Sequence, residues 1–270
     1  MAFFNIDVEH SNIYYEVYGK SGIPLVFIHG LLTSSSIFYK QVEYFKKFCK
    51  VIVIDLRGNG KSGSILGNKD TIIDSQVNDI KMLLDYLKVD NAIFLGVSYG
   101  GIIAQKILIT HKELVKGLVI VDSLCDSKSE SLKDKLYFSD IFNTLRTVVP
   151  KKIHGFIIEK IYKSWPIASN VLKNSIFDIR VKETLAQKKA VKKIDLKDEL
   201  LKLSVPTLCI VGDYGDSSLM KMMQIISIID KSKLYVLEEA LEPSNLCQPE
   251  KFNSLVADFI YSLKRNKIAQ

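Results

Sequence analysis

Long hydrophobic runs are missing from this 270-residue sequence, and so is the pattern of a signal peptide. The most apolar stretch, residues 92–109, is broken by Gln105 and Lys106, so no segment of about 20 residues is apolar enough to cross a membrane. The N-terminus lacks the basic start and apolar centre of a secretory signal. We therefore expect a soluble, cytoplasmic protein without a membrane partner.

Cysteine and histidine are both scarce, with four of each. The cysteines, Cys49, Cys125, Cys209 and Cys247, are scattered, form no CxxC pair and have no histidine at the spacing of a zinc site. These absences exclude a disulfide framework and argue against a metal centre. We expect buried free thiols, no bound metal and no cofactor.

The composition is that of a folded protein rather than a disordered or repetitive one, because 47% of the residues are hydrophobic. The length suits one large domain, or a domain with an inserted lid. The net charge is +7, and residues 151–200 hold 12 basic residues against 6 acidic ones. Lysines dominate there without regularly interleaved aromatic residues, which favours a solvated helical surface over a nucleic-acid groove. An anionic substrate or an acidic carrier protein stays open as a partner.

Two kinds of apolar pattern alternate along the chain, one typical of strands and one of helices. The strand-like segments are residues 3–8, 13–18, 25–28, 51–54, 91–97, 118–121, 207–211 and 234–237. Helical segments are residues 70–87, the stretch after Ser98, and residues 218–229 and 249–263. This alternation predicts an α/β fold with a mostly parallel, doubly wound sheet that is covered on both faces.

Residues 125–203 interrupt the alternation with charged, helical sequence that contains no clear strand. We interpret this insertion as a helical cap over the carboxyl ends of the strands, where ligands bind in such sheets. The core is then formed by residues 1–124 and 204–270. We expect most lysines of the cap to point outward and its apolar residues to roof the site. These roof residues would be drawn from Phe138, Ile141, Phe142, Leu145, Phe156, Ile157, Tyr162 and Trp165.

A candidate nucleophile lies at the end of the fifth strand-like segment. Residues Gly96-Val97-Ser98-Tyr99-Gly100 form a G-x-S-x-G sequence between an apolar run and a helical one. This is the setting of a nucleophile elbow, in which two glycines permit a crowded turn that lifts the serine hydroxyl out of the sheet. The helix that follows points free backbone N–H groups at the same place. The pattern predicts Ser98 as a nucleophile.

Five motifs occur in the order typical of the capped α/β-hydrolase superfamily, and the chain resembles that superfamily over nearly its whole length. They are His29-Gly30-Leu31, residues 55–62 (DLRGNGKS), residues 96–101 (GVSYGG), Pro206-Thr207-Leu208 leading to Gly212-Asp213, and residues 248–252 (QPEKF). The resemblance implies an eight-stranded α/β-hydrolase sheet with an inserted cap, and a small-molecule substrate. It also implies that the backbone N–H groups of Leu31 and Tyr99 form an oxyanion hole.

The sequence departs from the superfamily at the base of the catalytic triad. Where the superfamily has a Gly-His pair before Gln-Pro-Glu, this chain has Leu241-Glu242. Of its four histidines, His10, His29 and His111 lie in the first hairpin, the oxyanion loop and the end of a helix. Among the histidines, only His154, in the cap, is placed where it could substitute for the missing base. At the base position itself the sequence has Glu242.

The acid of the triad is also displaced. In the superfamily it usually falls three residues after a glycine, and that position is Gly215 here, with Asp213 and Asp216 on either side. Asp216 is the closer candidate and Asp213 an alternative. Asp122, at the end of the preceding strand, occupies a second acid location that the superfamily uses.

A glutamate is a weaker base than a histidine by about two pKa units, a handicap of roughly 3 kcal/mol. Burial under the cap and the like charge of Asp216 would each raise the pKa of Glu242 and recover part of that handicap.

Three functions stay open. The first is hydrolysis of a small ester, thioester or lactone through Ser98, with Glu242 as an unorthodox base. The second is cofactor-free lyase, isomerase or cyclase chemistry with Glu242 as base, and the third is a catalytically silent ligand-binding or scaffold protein.

Overall fold

Eight strands form one sheet in the computed structural model, which describes residues 2–6, 11–66, 69–127 and 150–268. In chain order they are β1 (Ala2–Ile6), β2 (Ser11–Tyr18), β3 (Ile23–Ile28), β4 (Cys49–Ile54), β5 (Ala92–Val97), β6 (Val115–Val121), β7 (Ser204–Gly212) and β8 (Asp230–Leu237). Their order across the sheet is β1-β2-β4-β3-β5-β6-β7-β8. The β1–β2 and β2–β4 pairs are antiparallel, and all other neighbouring strands are parallel. The predicted α/β class and sheet are confirmed.

The central strands are continuously apolar because helices cover both faces of the sheet. In β3, Val26 and Ile28 enter one hydrophobic core while Leu25 and Phe27 enter the other. Side chains alternate across a strand, so one apolar run supplies both cores. All six residues of β5 are buried. This rigid middle strand leads directly to Ser98.

Ten α-helices are assigned within the described residues. In chain order they are α1 (Tyr39–Phe45), α2 (Ile72–Tyr86), α3 (Tyr99–Thr110), α4 (Lys151–Ile161), α5 (Pro166–Ser175), α6 (Val181–Val191), α7 (Lys197–Leu200), α8 (Asp216–Ile228), α9 (Ser244–Cys247) and α10 (Pro249–Ile268). Helices α2, α3 and α8 supply residues to one core, and α1 and α10 supply residues to the other. None of the described helices is both long and apolar enough to cross a membrane.

The described part of the insertion contains the four helices α4 to α7. Its first residue is joined to its C-terminal part by the Leu196 N–H, which donates to the Cys125 carbonyl at 2.9 Å. Most of its lysines are exposed, but Lys188 is buried. We keep the division into core and cap as an interpretation of the sequence pattern.

Two of the eight candidate roof residues are exposed. Phe156 and Ile157 are 67% and 44% exposed, and no residue of α4 is buried. Tyr162 and Trp165 pack against the core. The other four predicted roof residues, Phe138, Ile141, Phe142 and Leu145, lie outside the described residues. The four cysteines are buried and free, as the sequence predicts.

Candidate active site

Ser98 lies on a strained turn between β5 and α3. Its φ and ψ are 53° and −114°, a left-handed conformation that a non-glycine residue rarely adopts. Glycines flank it because the backbone is crowded there. A Cβ on Gly96 would lie 2.2 Å from the Gly100 carbonyl oxygen, and one on Gly100 would lie 2.0 Å from the Ile28 carbonyl oxygen. The G-x-S-x-G sequence is thus required by close backbone contacts.

Hydrogen bonds fix the backbone of this turn on both sides. The Ser98 N–H donates to the Val121 carbonyl at 2.8 Å, and the Ser98 carbonyl accepts from the Ser123 hydroxyl at 2.7 Å. Both partners belong to β6 or to the residues directly after it. The side chain of Ser98 is therefore held at the carboxyl end of the sheet with little backbone freedom.

The loop after β3 passes close to Ser98. A Cβ on Gly30 would lie 3.3 Å from the Ser98 Cβ, so a larger residue would crowd Ser98. Within the described part of the chain, the backbone N–H groups of Leu31 and Tyr99 donate to no other protein group. Two free donors beside a serine are what a developing oxyanion needs.

His29 stabilises this loop from the protein interior and is not a candidate for the general base. Its side chain is fully buried, and its Nε2 accepts from the Leu56 N–H at 3.0 Å. The Nδ1 therefore carries the proton and donates to the Gly30 carbonyl at 2.8 Å. Burial lowers the pKa of His29, so the ring is neutral.

Glu242 is the titratable side chain that the structure brings to Ser98. The two side chains form a hydrogen bond. Glu242 as a whole residue is exposed, yet desolvation of its carboxyl group by the surrounding protein is the largest influence on its pKa. That desolvation and the like charge of Asp122 raise the pKa of Glu242 to about 7, against the lowering effects of the Ser98 hydrogen bond and of Lys221.

Asp122 is the carboxyl group that acts on Glu242, in the second of the two predicted acid locations. It lies directly after β6 with a φ of 46° and is 5% exposed. Burial raises the pKa of Asp122, while the backbone N–H groups of Ser244 and Gly212, at 2.7 and 3.1 Å, favour its charged form. We assign the negative charge of the pair to Asp122 and the shared proton to Glu242.

The sequence pattern favoured Asp216 as the like charge beside Glu242. Asp216 is the first residue of α8, and its side chain lies outside the described part of the structure. Asp213 is exposed and accepts from the Glu239 and Ala240 N–H groups at 2.9 and 3.0 Å. Burial raises the pKa of Asp213, but these backbone donors outweigh it and lower the pKa below its usual value. Asp213 thus stabilises the loop before Glu242.

The remaining histidines, Ser244 and the possible metal ligands complete the description of the site. His154 lies on α4 and His111 directly after α3, while His10 lies outside the described residues. Ser244 was not predicted, because its contact with Asp122 is made by a backbone N–H that no side-chain pattern reveals. Among the described residues, no group of three or more His, Cys, Asp or Glu side chains is placed to hold a metal ion.

Comparison with known proteins agrees with this geometry. The model of the family described as the alpha/beta hydrolase fold matches residues 23–153, which include the loop after β3 and Ser98. The chain has the α/β-hydrolase fold. Among α/β-hydrolases of known structure, Est816, an N-acyl homoserine lactone degrading enzyme, superposes with a TM-score of 0.80 at 26% identity, covering 96% of this chain and all of the other. The enol-lactonase of Burkholderia xenovorans gives a TM-score of 0.82 at 18% identity, with 96% and 100% coverage, and shows the shared fold.

Two curated α/β-hydrolases also match over most of their length. One is 3-oxoadipate enol-lactonase 1 of Acinetobacter baylyi, 24% identical over 251 residues, with 92% of this chain and 93% of the relative covered. The other is the pimeloyl-(acyl-carrier protein) methyl ester esterase of Wigglesworthia glossinidia brevipalpis, 27% identical over 266 residues, with 92% and 97% covered.

Proposed function

We propose that this α/β-hydrolase cleaves a small ester or lactone, with Ser98 as nucleophile and Glu242 as general base. The observation that carries the proposal is the hydrogen bond between Ser98 and a glutamate whose pKa is raised to about 7. A base with that pKa is ionised to a large extent at neutral pH and still accepts a proton readily. Its strength matches that of the imidazole it replaces.

The reaction would proceed in two halves. Ionised Glu242 takes the proton of the Ser98 hydroxyl as the oxygen attacks the carbonyl carbon, and the Leu31 and Tyr99 N–H groups stabilise the oxyanion. Glu242 then returns the proton to the leaving alkoxide, and an acyl-serine remains. In the second half, Glu242 takes a proton from water, the hydroxide attacks the acyl carbon, and Ser98 regains its proton on release of the acid.

Asp122 would act differently from the acid of a Ser-His-Asp triad. Next to a histidine, a carboxylate stabilises the positive imidazolium. Next to Glu242, its negative charge opposes ionisation and makes the glutamate a stronger base. The two backbone donors from Gly212 and Ser244 keep that charge on Asp122 itself.

The names of the relatives support an oxygen ester as the substrate class. Enol-lactones, homoserine lactones and methyl esters, named for the relatives, are all oxygen esters. Their hydrolysis requires one nucleophile, one base and one oxyanion hole, which is the set of groups assigned here to Ser98, Glu242, Leu31 and Tyr99.

A fluorophosphonate probe and intact-mass measurement test the proposal directly. We expect stoichiometric labelling of Ser98 and hydrolysis of p-nitrophenyl acetate or a simple γ-lactone, both absent in Ser98→Ala. Glu242→Gln should lower kcat by about 10²- to 10⁴-fold, the contribution of a general base. No labelling and no hydrolysis at any pH would favour a silent scaffold. Turnover that needs Glu242 but forms no acyl-serine would favour lyase or isomerase chemistry.

A further inference from the structure

One short turn of the cap forms hydrogen bonds to the loop that contains Glu242. This turn joins α4 to α5, with Tyr162 directly after α4 and Trp165 directly before α5. The Trp165 N–H donates to the Tyr162 carbonyl at 2.9 Å, and the two rings lie 6.2 Å apart in an edge arrangement. Both side chains are half-buried against the core, so the turn presents two rigid donors on one side.

Each of these donors reaches a different end of the loop formed by residues 239–242. The Tyr162 hydroxyl donates to the carbonyl oxygen of Glu242 itself. The Trp165 indole N–H donates to the carbonyl oxygen of Glu239 at 2.8 Å. From the core, the Gln248 amide donates to that same carbonyl at 3.1 Å, and Asp213 accepts from the N–H groups of Glu239 and Ala240.

We propose that Tyr162 and Trp165 are positioning residues for the base, so that the cap holds Glu242 against Ser98. This inference rests on the proposed function and deepens it, because it gives the cap a part in proton transfer besides covering the site. Removing the two donors would leave the core contacts of Glu239 and Ala240 in place. It would free the backbone at Glu242, where the base is attached.

The surroundings of Tyr162 keep its hydroxyl protonated. Burial raises the pKa of the hydroxyl most, and the charges of ionised Glu242 and Asp122 raise it further. The hydroxyl therefore stays protonated when Glu242 ionises. Trp165 cannot ionise at all, so the two contacts persist through the catalytic cycle.

The chain contains a single tryptophan, Trp165, which makes the contact directly observable. Ionisation of Glu242 places a negative charge in the loop to which the indole is bonded. We expect the emission of Trp165 to change between about pH 5 and pH 9, with the same midpoint as the ionisation of Glu242. The change should be lost in Glu242→Gln. This readout needs no substrate, so it stands even if the native substrate is unknown.

Tyr162→Phe and Trp165→Phe remove one donor each and keep the rings, and Tyr261→Phe, an exposed tyrosine on α10, is the matched control. We expect kcat for the model ester to fall about 10-fold in each variant, with KM changed less than about 2-fold. A freed Glu242 would be better hydrated, so the midpoint of the pH profile should move toward lower pH. Tyr261→Phe should change neither.

The outcomes separate this inference from the proposed function. Wild-type kcat and pH midpoint in both Phe variants, with Glu242→Gln inactive, would overturn the positioning role and leave Glu242 as the base. An emission of Trp165 that does not titrate, or that titrates equally in Glu242→Gln, would also overturn it. Full activity of Glu242→Gln would instead refute the proposed base.

Discussion

At the scale of single residues, the backbone of the elbow tolerates no added carbon. A Cβ on Gly100 would overlap the Ile28 carbonyl oxygen at 2.0 Å, and backbone atoms cannot move away as a side chain can. We expect Gly100→Ala to lower the free energy of unfolding by about 1–3 kcal/mol and to abolish labelling of Ser98 by a fluorophosphonate. Urea denaturation measures the change in the free energy of unfolding, and intact mass measures the labelling.

Gly155 supplies the control for that substitution. It lies inside α4, and a Cβ there would meet nothing within 4 Å. Gly155→Ala should therefore raise stability by about 0.5–1 kcal/mol through the lower entropy of the unfolded chain. Equal destabilisation by both substitutions would show that crowding at the elbow is not the cause.

The raised pKa of Glu242 has a consequence for stability with a definite sign. Between its usual value of 4.5 and about 7, the folded state keeps the proton that the unfolded state has lost. The free energy of unfolding therefore falls as the pH rises through this window. The stabilisation that comes from protonated Glu242 is fully present below the window and is lost above it. We expect Glu242→Gln to raise the melting temperature at about pH 8 relative to wild type and to change it little at about pH 4. The opposite order would contradict a raised pKa.

Replacing the base by histidine reverses the part played by Asp122. In Glu242→His, the buried carboxylate would stabilise an imidazolium instead of opposing a second negative charge. We expect the variant to keep esterase activity toward p-nitrophenyl acetate at neutral pH, well above the activity of Glu242→Gln. Activity equal to that of Glu242→Gln would show that Asp122 cannot serve as the acid of an ordinary triad.

At the scale of elements, the sequence predicted strands and helices well where their pattern is local. The helical pattern of residues 70–87 corresponds to α2, whose face formed by Ile73, Val77, Ile80 and Leu84 is buried, because spacing alone determines which side of a helix is apolar. The elbow was predictable for the same reason, since G-x-S-x-G lies within five consecutive residues.

The contacts that join distant segments were not predictable in this way. The proximity of Asp122 to Glu242 depends on how the end of β6 meets the loop after β8, and spacing in the sequence says nothing about that distance. The sequence also could not reveal that Phe156 and Ile157 would be exposed. Their helical spacing shows an apolar face without showing which neighbour covers it.

A buried ion pair connects the loop after β4 to α2. The Arg57 guanidinium donates to both carboxylate oxygens of Asp79, at 2.6 and 2.5 Å, and both side chains are 3% exposed. Removing one partner leaves the other charge buried, so we expect Asp79→Ala to cost about 3–5 kcal/mol in thermal or urea unfolding. An apolar double replacement, Arg57→Met with Asp79→Leu, should cost less than Asp79→Ala alone.

At the scale of the whole molecule, the insertion is tied to the core at points far apart in sequence. Arg180, directly before α6, donates to the Ser62 carbonyl at 2.7 Å and to the Ser64 hydroxyl at 2.5 Å. We expect Arg180→Ala to speed tryptic cleavage at the exposed lysines of α4 and α6, while the urea midpoint of the core changes little. Lys182→Ala, an exposed neighbour that leaves the Arg180 contacts in place, should show wild-type cleavage elsewhere in the insertion. Unchanged proteolysis in Arg180→Ala would show that the contact does not hold the insertion.

The contact between Ser98 and Glu242 also predicts which group-specific reagents should inactivate the protein. Diethyl pyrocarbonate inactivates a serine hydrolase by acylating the ring nitrogen of a histidine base, whereas the base proposed for this protein is the Glu242 carboxyl group. His29, in the loop after β3, is fully buried. We expect diethyl pyrocarbonate to leave hydrolysis intact and a water-soluble carbodiimide, which captures protonated carboxyl groups, to abolish it most rapidly below neutral pH.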